Sequence, residues 1–296
     1  MSQNYKVVIF GFSGQDGYYL GQLLKSQKID FIGISRNNDN VKGDVGDFVF
    51  VKEIISRYKP THIFHFAANS TTKHHALFEN HRSISTGTLN ILESVRLFSR
   101  NTKIFISGSA MQFENKGLPI DESSAFVPSS AYSVSRIDSV FSSRYYREEF
   151  GLKIYIGYFF NHDSPLRSEL HINQKIVKAV NRIALGSTEK LKLGNIEIKK
   201  EFSYAADIVN AAWILINQDQ IFEAIIGSGK AYSIKDWLEY CFGKIGKDWK
   251  CYVEQDQNFK IEYDKLISNP ALIKSLGWKP KVEFKELADI MLQSKY

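Results

Sequence analysis

The sequence predicts an α/β protein: a doubly wound parallel sheet carrying a smaller C-terminal cap. Three observations predict it. Through the first 160 residues, short apolar runs alternate with segments of helical periodicity, the rhythm of right-handed βαβ units. Those apolar runs are continuous rather than alternating, as in strands covered on both faces. After residue 160 the rhythm changes to short strands and helices of mixed order, which reads as a smaller unit packed on the first.

Taken in order, KVVIFGF at 6–12 is a buried strand. Residues 16–27 place Tyr19, Leu20, Leu23 and Leu24 at helical spacing. FIGIS at 31–35 is a strand and 48–59 a helix. THIFHFAA at 61–68 is a third strand, followed by one long helix over much of 77–99. KIFISGS at 103–109, a helix over 130–151 stopping at Gly151, and KIYIGYFF at 153–160 continue the alternation. Beyond the polar loop 161–169 come a helix near 171–186, a strand at 191–194, a helix near 204–217 and a strand at 222–227. Helices near 233–246 and 283–294 complete the chain. The chain crosses between its two parts more than once. The sheet unit is therefore expected over 1–160 and 204–228, and the cap over 161–203 and 229–296.

Composition narrows the function classes. Of 296 residues, 44% are hydrophobic and 24% charged, ordinary for a globular chain with a sizeable core. No apolar run approaches the ~18 residues of a membrane span. The opening MSQNYKVVIF lacks the parts of a signal peptide, so a cytoplasmic protein is expected. The two cysteines, Cys241 and Cys251, form no CxxC and read as free thiols. His74-His75 has no second ligand set beside it, so no metal is expected. The formal charge of +6 comes from scattered basic residues without aromatic interleaving. That argues against nucleic acid and suits a phosphate-bearing small substrate.

FGFSGQDG at 10–17 follows the first strand and opens the first helix. Gly11 permits the tight turn, Gly14 lets backbone approach a pyrophosphate, and Gly17 lets the helix pack on the sheet. The helix N-terminus then faces the anion, as in a dinucleotide-binding loop. The cofactor ribose is met about 20 residues on, at the end of the second strand. Here that point is SRNND, with Arg36. An arginine suits a 2′-phosphate where an acid would suit NAD. NADP(H) is therefore the expected cofactor, with NAD(H) the alternative. Asp44 sits where such folds place an acid near the adenine.

Several segments together carry a resemblance. GFSGQDGYYL (11–20), HFAANS (65–70), FFNHDSPLRSE (159–169), LGNIEIKKEFSYAADIVNAAW (193–213) and LGWKPKVEFKELADIM (276–291) cover nearly the whole chain. They resemble the GDP-mannose 4,6-dehydratase family of extended short-chain dehydrogenases/reductases. The resemblance implies a Rossmann sheet that binds a nicotinamide dinucleotide. It also implies a cap that binds a nucleotide-diphosphate sugar, a GDP-sugar by default. Cofactor contacts are implied from Gln15, Asp16, Ala67, Ala68, Ser107 and His162, beside the three glycines. Tyr132 matches the tyrosine that exchanges a proton with a sugar hydroxyl or ketone. Ser109 matches the hydroxyl that orients the same oxygen. Asn161 and Lys175 match substrate positions, and Lys200 and Glu262 fall in segments that contact the nucleotide. A homodimer, or a dimer of dimers, is implied through the helices at 77–99 and 130–150.

Three departures re-aim that expectation. AYSVSR (131–136) ends in Arg136 where the family has lysine. A cation that favours an ionised phenol and fixes the nicotinamide ribose is kept, with different geometry. SGSAMQF (107–113) places Met111 where the dehydratases carry the glutamate that removes the C5 proton. A thioether is no base, and Glu114 reaches only by another loop path. The family's nucleotide-site arginines read Lys200 and Phe259, which loses bidentate contacts. Oxidation or reduction at C4 needs only the serine, tyrosine, cation and nicotinamide. The expected activity is NADP(H)-dependent reduction of a GDP-linked 4-keto-6-deoxy sugar, or the reverse oxidation, in bacterial surface-polysaccharide synthesis. A 4,6-dehydratase or epimerase is the first alternative. A nucleotide-sugar-binding protein without turnover is the second.

Overall fold

The computed structural model describes residues 6–37, 41–256 and 263–294. The first part runs β1 (Lys6–Phe10), α1 (Gln15–Ser26), β2 (Asp30–Ser35), β3 (Val41–Lys42), α2 (Phe48–Tyr58) and β4 (His62–His65). It continues through α3 (Leu77–Asn80), α4 (Gly87–Phe98), β5 (Lys103–Ser109), α5 (Ala131–Phe150) and β6 (Ile154–Phe159). Then come β7 (His162–Asp163), α6 (Ile172–Ala184), β8 (Leu191–Leu193), β9 (Lys199–Glu201), β10 (Ser203–Tyr204), α7 (Ala205–Ile216) and β11 (Glu223–Ile226). The chain closes with β12 (Ala231–Ser233), α8 (Ile234–Gly243), β13 (Val253–Gln255), β14 (Lys265–Leu266), α9 (Ala271–Ser275) and α10 (Phe284–Gln293).

Seven strands form one sheet in the order β11-β6-β5-β4-β1-β2-β3, every pair parallel. This is the doubly wound order, and it reverses between β1 and β4, where ligands of such sheets bind. Alternate side chains feed two cores. Val8 and Phe10 of β1 join Ile63, Ile104, Ile106 and Ile156 beneath α2, α4 and α5. Val7 and Ile9 join Phe64, Phe105 and Tyr155 beneath α1 and α7. Burial on both faces explains why these strands lack polar alternation.

A third core lies outside the sheet, in which Trp237, Phe202, Ile176 and Leu287 bring α6, α8 and α10 together. The small sheets β12-β9-β14 and β13-β8 accompany these helices. The edge strand β11 is covered. Ile225 N–H donates to Glu122 at 2.7 Å. Glu223 accepts from Arg144 at 2.6 Å, Arg147 at 2.5 Å and Tyr158 at 2.5 Å. Burial alone would raise the Glu223 carboxyl; the hydrogen bonds from Arg144, Tyr158 and Arg147 outweigh it and bring it to about 2. This cluster ties α5 to the sheet edge and leaves no bare edge carboxylate.

The one long helix expected over 77–99 is interrupted. A 3₁₀ turn at His74–Ala76 precedes α3, and a π-helical turn spans His81–Thr86 before α4. The wider turn lets the segment press on two neighbours at once. Ser85 Oγ donates to the Ser135 carbonyl of α5 at 3.3 Å. A side chain at Gly87 would meet Val45 Cγ1 at 2.9 Å and His65 Nε2 at 3.2 Å. No described helix is long and apolar enough to cross a membrane.

Candidate active site

The glycine loop has the shape its sequence requires. Gly11 has φ +90°, and a Cβ there would lie 2.5 Å from Ala67 N, so only glycine lets the loop pass the end of β4. A Cβ at Gly17 would lie 2.5 Å from the Gly11 carbonyl, which fixes close packing of α1 on the loop. Gly14 is exposed, and a Cβ there would meet only the Gly11 carbonyl at 3.4 Å. It precedes α1, whose N-terminus has no side-chain cap. Open backbone at an uncapped helix start suits an anion. Ala67 and Ala68, both half-buried, flank this opening.

Gln15 and Asp16 bond to the segment that follows β6. The Gln15 amide donates to the His162 carbonyl at 3.3 Å and accepts from Ser164 Oγ at 2.9 Å. Asp16 Oδ1 lies 2.9 Å from His162 Nε2, and His162 Nδ1 lies 2.8 Å from the Phe160 carbonyl. A carbonyl only accepts, so Nδ1 carries a proton, and a carboxylate at Nε2 calls for a second. Burial pulls His162 down, but the charge and hydrogen bond of Asp16 leave it raised. Burial likewise acts to raise Asp16, and His162 leaves it lowered. Through these bonds the side chains of Gln15, Asp16 and His162 join the glycine loop to the segment after β6.

The end of β5 and the first turns of α5 bring Ser107, Tyr132 and Arg136 together. Ser130 and Ser133 make a capping box at the start of α5, which sets the helix phase. Tyr132 and Arg136, four apart, share a face. Arg136 is buried; its Nε donates to Tyr132 Oη at 3.1 Å. Its Nη1 donates to Ser107 Oγ at 3.0 Å and to the Ser107 carbonyl. Ser107 Oγ donates onward to the His65 carbonyl at 2.9 Å. Burial, then Arg136, push the His65 ring down to about 3, so it adds no charge here. Ser107 thus holds the guanidinium, and Arg136 faces the phenol and β5 through both its bonded nitrogens.

Ser109, the last residue of β5, accepts from Met111 N–H at 3.2 Å. Its own N–H donates to Gln112 Oε1 at 2.9 Å. Among the described residues its hydroxyl proton has no acceptor. Gln112 is fully buried and was not anticipated; only its place three residues after a capping serine hints at the role. Met111 packs on the core beneath α5. Glu114 is exposed and ion-paired with Lys116 at 2.8 Å, so its carboxylate is directed to solvent.

The remaining predicted residues sort by position. Asp44 accepts from Gly46 N–H at 2.8 Å and Arg82 Nε at 3.0 Å. Arg36 is half exposed at the end of β2. Lys175 donates to the Lys192 carbonyl at 2.8 Å, so its ammonium is held on the cap. Glu262 lies outside the described residues. Asn161 Oδ1 is buried without a hydrogen bond. Lys200 is buried, and no described carboxylate forms an ion pair with its ammonium. Burial lowers its pKa. Arg167, also unanticipated, lies 3.6 Å from Asp163 and 3.3 Å from His171 Nδ1. Burial, then Arg167, bring His171 to about 4, leaving it neutral. Lys200 and Arg167 thus set two cations against the one carboxylate of Asp163. No group of three metal-ligating residues occurs among the described residues.

Comparison with known proteins decides the relationship. The family model described as GDP-mannose 4,6 dehydratase matches residues 8–291. The chain belongs to this family. GDP-mannose 4,6 dehydratase 2 of Arabidopsis thaliana is 30% identical, over 96% of this chain and 85% of its own. GDP-mannose 4,6 dehydratase of Homo sapiens is 28% identical, over 97% and 90%. Among solved structures, UDP-glucose 4-epimerase of Thermotoga maritima superposes with a TM-score of 0.87 at 18% identity, over 97% of both chains. RMD of Pseudomonas aeruginosa, complexed with NADPH, gives 0.86 at 18% identity, again over 97% of both. These structures share the extended short-chain dehydrogenase/reductase fold with the GDP-mannose 4,6 dehydratase family chain described here.

Proposed function

We propose that this member of the GDP-mannose 4,6 dehydratase family transfers hydride at C4 of a GDP-linked 4-keto-6-deoxy sugar, acting as an NADP(H)-dependent reductase. The observation that carries the reading is the end of β5. Ser109 and Tyr132 stand ready for a sugar oxygen, while Met111 packs into the core and Glu114 pairs with Lys116 in solvent. Protonation of a C4 oxygen is served; removal of a C5 proton is not.

The opening at Gly14 fits a pyrophosphate, and Arg36 suits a 2′-phosphate. The nicotinamide supplies or accepts the hydride when bound. Tyr132 gives its proton to the carbonyl oxygen as it becomes an alkoxide. Ser109 donates to the same oxygen and orients it. Arg136, bonded to Tyr132 Oη, stabilises the phenolate left behind. Lys200, Arg167 and Asn161 are assigned to the sugar diphosphate and its neighbouring hydroxyls. Residues 1–160 with 204–228 act as the dinucleotide unit, and 161–203 with 229–296 as the sugar unit. We assign such an enzyme to bacterial surface-polysaccharide synthesis.

The second reading is elimination of water from GDP-mannose, favoured by family membership over 8–291. A paired assay separates the two. GDP-4-keto-6-deoxymannose with NADPH is followed at the nicotinamide absorbance, and GDP-mannose with catalytic NADP by mass loss. Oxidation of NADPH in the first without water loss in the second is the expected result. Water loss in the second would overturn the reductase reading.

The same reading includes a homodimer. Val134, Phe141 and Tyr145 of α5 and Leu89 and Leu97 of α4 are exposed, and Phe126, Pro128, Ile137 and Phe141 line an open apolar groove. Sedimentation at micromolar concentration is expected to give a dimer, and Phe141→Glu a monomer with unchanged far-UV circular dichroism. A wild-type monomer would refute the assignment.

A further inference from the structure

The ion pair between Arg36 and Glu79 bears on the choice of dinucleotide, a role that rests on the reading that the glycine loop binds one. Arg36 follows β2, and Glu79 belongs to α3, beyond the exit of β4. In a doubly wound sheet the adenosine ribose lies over the end of β2, beside the loop that leaves β4. These two side chains meet across that place: Arg36 Nη1 lies 2.6 Å from Glu79 Oε1. The contact is one of charges, since Glu79 Oε1 has no aligned hydrogen-bond partner. Side-chain exposure of 55% for Arg36 and 32% for Glu79 makes it a pair that water can part. A second pair, Arg82 of the π-helical turn with Asp44 after β3, lies at 3.0 Å. Arg36 also acts on Asp44, whose carboxyl is lowered by Gly46 N–H and Arg82 against the effect of burial, with Arg36 adding to them. Both cations near the ribose are thus matched by carboxylates before any phosphate arrives.

We infer that Glu79 limits, without reversing, the preference of this chain for NADP(H) by holding Arg36. A 2′-phosphate must draw Arg36 off Glu79 and then lie beside a carboxylate of its own sign. A 2′-hydroxyl meets neither cost. Glu79 therefore acts as a brake on NADP(H) and leaves NAD(H) unaffected. Arginine at the end of β2 suits a 2′-phosphate. Glu79 is the residue that discounts that rule here, and no spacing in the sequence links the two.

The test is direct binding by titration calorimetry of NADPH and NADH to the full chain, without sugar. Glu79→Gln keeps the shape and removes the charge. It is expected to tighten NADPH about three- to fivefold at low ionic strength, and to leave NADH within about 1.5-fold. In Arg36→Gln/Glu79→Gln the gain for NADPH should disappear. Equal tightening of both dinucleotides, no change in either, or a gain that survives loss of Arg36 would overturn the inference while leaving dinucleotide binding in place. Failure of the wild-type chain to bind either dinucleotide would overturn the inference and the reading beneath it together.

Discussion

Tyr132→Phe is expected to lower kcat for the C4 reaction by about 10²–10⁴-fold, the usual worth of a positioned general acid. The dissociation constant for dinucleotide should change by less than about twofold. The separation comes from the contacts of the phenol. Tyr132 Oη accepts from Arg136 Nε at 3.1 Å, and Arg136 is otherwise held by Ser107. Removing the hydroxyl deletes the proton donor but keeps the ring under the guanidinium, 5.1 Å from its centroid. One buried donor on Arg136 is left unpaired, which costs about 1–3 kcal/mol of stability. A modest fall in melting temperature with a large fall in rate is the signature to look for in stopped-flow turnover and thermal melts. A variant that retained a tenth of the wild-type rate would remove Tyr132 from the proton path. A protein that only binds its ligand would show the fall in stability and no rate to lose.

Much of the fold was legible because its strands are buried on both faces and its helices are punctuated. KIFISGS matched β5 at both ends, since an apolar run bounded by loop residues can be little else beside helical neighbours. Gly151, with φ +66°, closed α5 where a left-handed cap was needed. The break between α3 and α4 was not legible. A π-helical turn keeps the apolar spacing of a helix while displacing one residue, and periodicity does not register that. At the site, the types of residue were legible and their partners were not. Asp16 reads as an acid in the first turn of a helix, but the ring it holds is 146 residues away. Arg167 stood within a quoted segment with nothing to mark its approach to Asp163 and His171. Lys200 was placed from resemblance alone. Its burial without an ion pair emerges only when β9 is packed between β12 and β14.

The link between Asp16 and His162 should dominate the pH dependence of stability. Side chains that are 21% and 10% exposed make it largely buried, and losing one partner of such a pair costs about 3 kcal/mol. In a chain of this length that corresponds to a fall in melting temperature of about 5 °C. Asp16→Asn is the variant to compare with wild type, because it keeps an oxygen for Nε2 and removes the charge. The sign comes from each group in turn. His162 is raised in the folded chain, so its contribution is complete below the unfolded value near about 6.5 and is lost as pH climbs through the folded value. Asp16 is lowered, so its contribution is complete above about 4 and is lost as pH falls through its folded value. The difference between wild type and variant should therefore be greatest from about pH 4 to 6.5 and shrink on the alkaline side. Melts in a pH series measure it. A difference that stayed constant from mildly acid to alkaline pH would mean that His162 does not titrate against Asp16. Because the pair joins the loop at Gly14 to the segment beside Asn161, the same alkaline loosening should weaken dinucleotide binding in wild type and leave the variant flat. The coupling is then between the glycine loop and the segment after β6, carried by one proton on one imidazole.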